Sequence, residues 1–385
     1  MKYNFDNSRF ARLWTESAYL RKFIIDLFPT LNNDAWWKTR YVKAANPTMK
    51  NADGTRLYSV SSMTKPATSL MDMRTDYSES IQGDGADAKS YTGSIPSFSA
   101  ESIKEDAFQR EYKQKYFEQF GDDGEFLNQL LGTLQSRIAS AHSTLSNMGA
   151  QLASTGKISV DFGRGVKMSN IAEAPIPAEN FKKAGAKVWT DTTALLLDQM
   201  AKIEQDWRMA NGYDGALAWH ISRNMFYNNV MKNAQVKDWV KQFRQLNDKP
   251  YVDGLITEQL FSEAIGEFPN LSPIYIENES QQSKTIEGAV TKKQGWKDTN
   301  VVLCPAGNFG EIVYSNLAEE SLFSAFGAND VTKVFAPMEG GIFSVVNTTR
   351  NKGDYKEFTT EVLMNAIPTL TNFPYHVIVD TAATE

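Results

Sequence analysis

The chain has 385 residues, of which 42% are hydrophobic and 12% aromatic, so it can bury more than one core. Its formal charge of −6 at pH 7, without a long run of Lys or Arg, argues against a dedicated reader of DNA sequence, because such proteins carry a basic face. The single cysteine, Cys304, excludes an intrachain disulfide and fits a reducing cytoplasm, and the sequence has neither a signal peptide nor an apolar segment long enough to cross a bilayer.

Residues 1–45 are predicted to form an arm with two helical pieces. Trp14 lies on the apolar side of the first piece, and an Asn-Asn-Asp sequence that can cap a helix leads into Trp36 and Trp37. So many large aromatic side chains need a surface to cover them. The arm by itself is too short to supply that surface.

Residues 46–99 are rich in Ser, Thr, Asp and Gly and are predicted to form an extended ribbon. Alternating runs at 57–60 and 69–73 indicate strands, and the turn-rich segment 82–87 is expected near the tip. An isolated two-stranded ribbon is at best marginally stable in water, so we expect this one to lie on a neighbouring subunit. The ribbon therefore predicts a protein that assembles.

A long helix in two parts is predicted next. The first part, residues 100–120, carries aromatic side chains one turn apart from Phe108 to Phe120. The second part begins at Glu125, keeps apolar residues at steps of three and four as far as Leu152, and ends at Gly156. At about 1.5 Å per residue this second part spans on the order of 40 Å.

The remainder of the chain alternates between helical and extended patterns, which predicts a compact α/β region followed by a β tail. Helices are expected to open at Trp189, after a capping Ser222, and around residues 236–243. Pro368 and Pro374 are expected to keep the link between the two tail strands from pairing as a central strand. The predicted strands are 158–162, 216–221, 273–276, 301–304, 311–314, 358–364 and 375–379.

The residues that could carry chemistry favour structural interpretations. His220 lies within a predicted buried strand, which favours a hydrogen-bonded core histidine, and Cys304 follows three apolar residues, which favours a buried thiol. Residues 307–310 are expected to form a turn between two strands, because they lack the spacing of a phosphate-binding loop. No histidine or acidic cluster has metal-ligand spacing, so we predict no catalytic residue, no metal and no cofactor.

The order of these elements, most strongly from Glu125 to the C-terminus, resembles the lambda-type tailed-phage major capsid proteins. This group is often called the major capsid protein E family and has the HK97-like capsid fold. Each segment alone is a weak signal, and the resemblance rests on the ordered set. The segments are the helix end at 148–157, the Asp-Phe-Gly-Arg sequence at 161–164, the helix-opening Trp189, a helical segment at 225–237, an apolar strand running into a glycine turn at 301–310, and a Pro-containing final strand at 366–379.

The resemblance implies an α+β fold whose copies form pentamers and hexamers of an icosahedral shell around double-stranded DNA. The implied regions are an N-terminal arm (1–45), an extended E-loop β-ribbon (46–99), a peripheral domain with a long spine helix (100–174), an α/β axial domain (175–331) and a return to the peripheral domain (332–385). We expect the aromatic arm and the ribbon to contact neighbouring subunits. The residues expected there are Trp14, Trp36, Trp37, Leu57, Tyr58, Lys65, Leu70, Met71 and Met73.

The expected partners follow from the same resemblance. Because Met1 is retained, we expect a separate scaffolding protein, and the family implies a portal and decoration proteins. Packaged DNA would be contacted without sequence specificity, and no membrane would be involved. The implied location is the virion, after assembly in the cytoplasm of a bacterial host.

Two other interpretations remain open at this point. The first is an encapsulin-like shell, which has the same fold and encloses an enzyme instead of a genome. The second is a soluble hydrolase that uses Cys304 or Ser222 with His220. It predicts a monodisperse monomer or small oligomer, whereas both shell hypotheses predict very large particles.

Overall fold

The computed structural model describes residues 35–43, 49–50, 56–63, 88–105, 124–160, 168–247, 256–284, 290–315, 333–337, 342–351 and 354–384. These residues belong to two compact units. The first unit takes its described residues from 1–58, 94–146 and 312–368, and the second from 59–93, 147–311 and 369–385. The predicted first helical piece of the arm, the strand at 69–73 and the turn at 82–87 lie outside the described residues.

The described part of the chain contains the α-helices α1 Gly124–Thr155, α2 Leu196–Asn211, α3 Arg223–Asn228, α4 Ala234–Leu246 and α5 Glu258–Gly266. Helix α1 confirms the predicted long helix and has 32 residues. It ends as expected at Gly156, which has φ of +73° and donates its amide proton to the Leu152 carbonyl oxygen at 2.8 Å. Shorter 3-10 helices cover Trp36–Thr39, Ala178–Asn180, Val230–Lys232 and Phe373–Tyr375.

The strands of the described residues form several separate sheets. In chain order the strands are β1 Tyr41–Lys43, β2 Met49–Lys50, β3 Arg56–Met63, β4 Ala88–Ser94, β5 Phe98–Glu105, β6 Lys157–Val160, β7 Met168–Glu173, β8 Phe181–Ala184, β9 Leu217–Ser222, β10 Ile274–Glu277, β11 Gln281–Lys284, β12 Val290–Lys293, β13 Asn300–Pro305, β14 Gly310–Tyr314, β15 Lys333–Pro337, β16 Ile342–Asn351, β17 Asp354–Met364, β18 Ala366–Leu370 and β19 Val377–Thr384. The strand orders of the sheets are β1-β14-β18, β2-β3-β4, β15-β16-β17-β5 and β10-β9-β13-β19-β8, and β6-β7 and β11-β12 form two-stranded pairs.

The first unit contains the antiparallel sheet β15-β16-β17-β5, and this sheet corrects one prediction. Residues 100–105 were expected to begin a helix, but they belong to strand β5, which pairs with β17 from Glu105–Glu357 to Phe98–Met364. A continuous ladder to a distant strand outweighs a weak local helix preference. The aromatic positions 108–120 that motivated the helix lie outside the described residues.

The second unit is built on the mixed sheet β10-β9-β13-β19-β8, in which β10-β9 and β19-β8 are parallel and the inner pairs are antiparallel. All six residues of β9 are buried, so both faces of this strand are covered. One face, with Trp219 at its centre, belongs to a core that also includes Trp207, Phe226 and Phe261 from helices α2, α3 and α5. The predicted strands at 216–221, 273–276 and 301–304 are thereby confirmed to within a residue or two.

Local signals place the helices of this unit. Ser222 caps α3 by accepting the Met225 amide proton at 3.0 Å, as predicted, and Asn233 and Thr257 cap α4 and α5 in the same way. Helix α2 begins at Leu196 and not at Trp189 as predicted, because Asp191 accepts the Thr193 amide proton at 2.8 Å and holds a non-helical turn in front of the helix.

The two proline residues of the C-terminal segment lie where their missing amide proton is tolerated. Pro368 lies in strand β18, which the prediction did not foresee, but this strand is at the edge of its sheet, where the missing amide proton of proline is tolerated. Pro374 opens a 3-10 helix. The expectation that the link would not pair as a central strand is confirmed.

Candidate assembly elements

The arm is held by the first unit's own helix at Trp37. The indole of Trp37 is 2% exposed, and its Nε1–H donates to Nδ1 of His142 in α1 at 3.0 Å. The backbone amide of the same residue donates to Ser146 Oγ at 3.4 Å. This side chain is therefore covered within the single chain and offers no surface to a neighbour in this arrangement.

Trp36, in contrast, is half-buried, and its ring lies 6.2 Å from that of Tyr41. We did not predict His142 as the partner of the arm. Its position could have indicated a buried polar contact, because His142 and Ser146 are polar residues on the same helical face as the buried Ile138 and Leu145.

The root of the ribbon consists of β3 and β4, which are neighbours in one sheet. In β3 the buried residues Tyr58, Val60 and Ser62 alternate with exposed Ser59 and Ser61, which confirms the predicted strand at 57–60. Burial raises the pKa of Tyr58 to about 12. Tyr58 is thus covered within its own chain, whereas Leu57 is half-buried.

Strand β4 is much more open than β3. Residues 88–90, Thr92 and Ser94 are exposed, and only Tyr91 and Gly93 are half-buried. The remaining expected contact residues, Trp14, Lys65, Leu70, Met71 and Met73, lie outside the described residues. Their intersubunit role stays a prediction.

The end of the spine helix α1 is hydrogen-bonded to the loops that enter β13 and β19. Ser154 accepts through its carbonyl oxygen from Asn300 Nδ2 at 2.7 Å and through its hydroxyl from the Lys297 amide at 3.0 Å. His376 donates from Nε2 to the Ala153 carbonyl oxygen at 2.7 Å. Burial lowers the pKa of His376 to about 4, so its ring is neutral at physiological pH.

A buried carboxylate strengthens the same region. Glu279 is 3% exposed and accepts amide protons from Gly295 and Trp296, and burial raises its pKa despite these donors. Gly295 itself packs so closely on the backbone of Asn147 that a Cβ atom would collide with it. These contacts hold the residues just before β11 and just after β12 together and against the last turns of α1.

The side chains of the hydrolase hypothesis are occupied in other ways. His220 is 1% exposed and its Nδ1 lies 2.7 Å from Glu277 Oε1, which confirms the hydrogen-bonded core histidine. Ser222 donates its hydroxyl proton to Asp298 Oδ1 at 2.8 Å while it caps α3. Cys304 is buried, as expected. The hydrolase hypothesis needs a hydroxyl or thiol that donates to His220, and the Ser222 hydroxyl donates its proton to Asp298 instead.

The predicted turn at 307–310 lies within the described residues, whereas the acidic turn at 82–87 does not. The connection at 307–310 joins β13 to β14, as predicted, although these strands belong to different sheets. Within the described residues, no three His, Cys, Asp or Glu side chains are grouped so that they could hold a metal ion. None of the described helices is long and apolar enough to cross a membrane.

Comparison with known proteins identifies the architecture. The sequence matches no protein-family model and no curated protein. The structure is similar to the crystal structure of a candidate capsid protein of an Escherichia coli CFT073 prophage, with 12% identity, a TM-score of 0.51, and coverage of 94% of this chain and 98% of that chain. The capsid of cyanophage A-1(L) is also similar, with 9% identity, a TM-score of 0.46, and coverage of 89% of this chain and 90% of that chain. On the first of these comparisons, this chain has the HK97-like fold of phage capsid proteins, as the sequence resemblance implied.

Proposed function

We propose that this chain is the major capsid protein of a tailed bacteriophage and that its copies form the pentamers and hexamers of an icosahedral shell around double-stranded DNA. One observation carries the proposal. The fold corresponds to that of a prophage capsid protein over nearly the whole of both chains, 94% of this one and 98% of the other. The likeness shows the fold, and the shell function is inferred from it by analogy with that protein.

The described elements are suited to this function. Strand β4 at the root of the ribbon is largely exposed, so it presents side chains and an edge that a second copy can cover. Such a contact joins two different surfaces, so its repetition generates closed rings, and two kinds of ring can close a shell. The proposed role is structural, and two side chains of the hydrolase alternative, His220 and Ser222, make core and capping contacts that support it.

The contact residues divide into two groups. Trp36 and Leu57 are half-buried, so part of each side chain is exposed, and they are proposed together with Trp14, Lys65, Leu70, Met71 and Met73. Trp37 and Tyr58 are left out, because the single chain already buries them. The five regions named above, from the arm at 1–45 to the return segment at 332–385, are proposed as the working parts of the subunit.

The proposed partners are other copies of the chain, a separate scaffolding protein, a portal and decoration proteins. Packaged DNA is contacted without sequence specificity, which fits a formal charge of −6, because a mildly acidic wall does not adhere to a polyanion. The proposed location is the virion, after assembly in the bacterial cytoplasm.

Light scattering and electron microscopy of the purified full chain test the proposal. Rings or closed shells of megadalton mass are expected. A monodisperse monomer or small oligomer at every concentration would refute self-assembly. Closed shells loaded with a protein cargo and lacking DNA would favour the encapsulin-like alternative, which no feature of the described residues supports at present.

A further inference from the structure

The contact between Tyr91 and Leu370 lies within the second unit and ties strand β4, at the root of the ribbon, to the end of strand β18. Tyr91 lies in the middle of β4, and its hydroxyl oxygen accepts the Leu370 amide proton at 3.0 Å. The same hydroxyl donates to the Leu370 carbonyl oxygen at 3.3 Å. One side chain therefore satisfies both backbone groups of one residue.

This arrangement copies a strand pairing. In an antiparallel ladder a residue exchanges an N–H···O bond in each direction with the residue opposite it. A tyrosine hydroxyl, with one proton and two lone pairs, can make both bonds to Leu370. Leu370 ends β18, which is an edge strand in the sheet order, so Tyr91 takes a place that another strand could otherwise occupy.

The aromatic ring adds a second point of attachment. It meets Phe373 edge-to-face with the ring centroids 5.2 Å apart, and Phe373 is 1% exposed. Because the hydroxyl is bonded to Leu370 and the ring packs on Phe373, both the position and the orientation of the Tyr91 side chain are restrained. The residues beside it in β4, Ser90 and Thr92, are exposed.

The receiving surface is rigid. Thr369 donates from Oγ1 to the Glu311 carbonyl oxygen at 3.0 Å, and the Thr371 amide donates to the Phe309 carbonyl oxygen at 3.3 Å. Gly310 lies so close to the Thr369 backbone that no side chain would fit between them. Leu370 is thus flanked on both sides by fixed backbone, and a group bonded to it is fixed too.

We propose that Tyr91 is a positioning residue that fixes strand β4, the described end of the ribbon, on the end of β18, and thereby sets the geometry of the contact with the next copy. This inference rests on the proposed function, in which the ribbon lies on a neighbour. Because a ring contact is repeated at every subunit, a small error in the position of this strand adds up around the ring. Loss of the Tyr91 bonds therefore yields open or irregular assemblies from a subunit that still folds.

Tyr91→Phe tests the inference, because it removes the hydroxyl and keeps the ring. Tyr227→Phe is the matched control, since Tyr227 donates its hydroxyl proton to Glu258 at 2.6 Å on the surface of the second unit. A third variant replaces residues 64–87 with a short Gly-Ser linker. Each full-length protein is compared with wild type by hydrogen exchange at the Leu370 amide before assembly and by electron microscopy of the particles.

In Tyr91→Phe we expect the Leu370 amide to exchange about two- to tenfold faster, the effect of losing one ordinary hydrogen bond. Uniform closed shells should give way to open or irregular particles, while the thermal midpoint of the unassembled subunit falls by no more than about 4 °C, and Tyr227→Phe should behave as wild type. The inference is overturned if the shells stay uniform, or if exchange at Leu370 is unchanged. Normal shells from the linker variant would instead refute the ribbon contact itself, so the two failures are distinguishable.

Discussion

Single side chains attach the extended segments of this chain through specific hydrogen bonds and buried contacts. Trp37 illustrates the point, since its indole donates to the one histidine of the spine helix and leaves no apolar surface free. A buried acceptor that loses its donor costs more than the bond itself contributed, because the desolvated group is left without a partner. The anchor of the arm is therefore sensitive to one atom.

Trp37→Phe should lower the free energy of unfolding by at least about 1–3 kcal/mol, because the donor to His142 is lost and the smaller phenyl ring leaves part of the buried space unfilled. Trp36→Phe is the matched control. It should cause a clearly smaller loss, since Trp36 is only half-buried. Urea denaturation of the unassembled protein measures both values, and equal losses would show that the His142 bond is not the anchor.

The buried His376 predicts an acid-sensitive joint at the end of the spine helix. Its pKa falls from 6.5 to about 4 on folding, so the folded chain binds this proton less readily than the unfolded chain. The stabilisation is complete above pH 6.5 and is lost as the pH falls towards 4. Over that interval the free energy of unfolding should fall by about 3 kcal/mol from this residue alone.

His376→Gln separates this contribution from those of other acid-sensitive groups. Glutamine keeps an amide donor for the Ala153 carbonyl oxygen but does not titrate. Denaturant unfolding between pH 7 and pH 4 should therefore show a flatter pH dependence for the variant than for wild type. Identical slopes would mean that His376 does not lose its proton affinity on folding.

At the scale of elements, the ribbon and the spine helix have opposite properties. Helix α1 is a single long element whose end is bonded to buried loops through Ser154, Ala153 and the Gly295 contact. The ribbon root has one covered strand, β3, and one open strand, β4. The ribbon root is covered on one side, so a second copy that covers its other side would add to its stability.

Replacement of residues 64–87 by a short Gly-Ser linker should abolish closed shells and leave the subunit folded. The five-stranded sheet of the second unit and helix α1 are composed of residues outside the replaced segment. Circular dichroism should thus match wild type, while light scattering shows small species. Shells of normal size would contradict the assignment of the ribbon as an intersubunit element.

At the scale of the whole molecule, assembly should appear as stability that depends on concentration. Association with further copies stabilises the native state by mass action, so the thermal midpoint rises with protein concentration. We expect this rise for the full chain and its absence for the variant that lacks residues 64–87. Calorimetry over a wide dilution series measures it, and a constant midpoint for the full chain would argue for a self-sufficient monomer.

The sequence by itself determined those elements whose signals are local. The apolar stripe that ends at Leu152 and Gly156 predicted helix α1, and Ser222 predicted the start of α3, because periodicity and caps depend only on residues within a few positions. The ordered set of segments from 148 to 379 also led to the capsid fold. His220 and Cys304 were correctly interpreted as core residues, because their apolar neighbours in sequence are also their neighbours in the strand.

The tertiary structure alone decided the contacts between distant parts of the chain. Residues 100–105 form a strand because β17 lies beside them, and Trp37 is covered because His142 presents a lone pair to it. Tyr91 meets Leu370 in the same way, through groups far apart in sequence. Such pairings replace local hydrogen bonds by long-range ones, and a local pattern of residue types holds no record of which distant backbone will arrive.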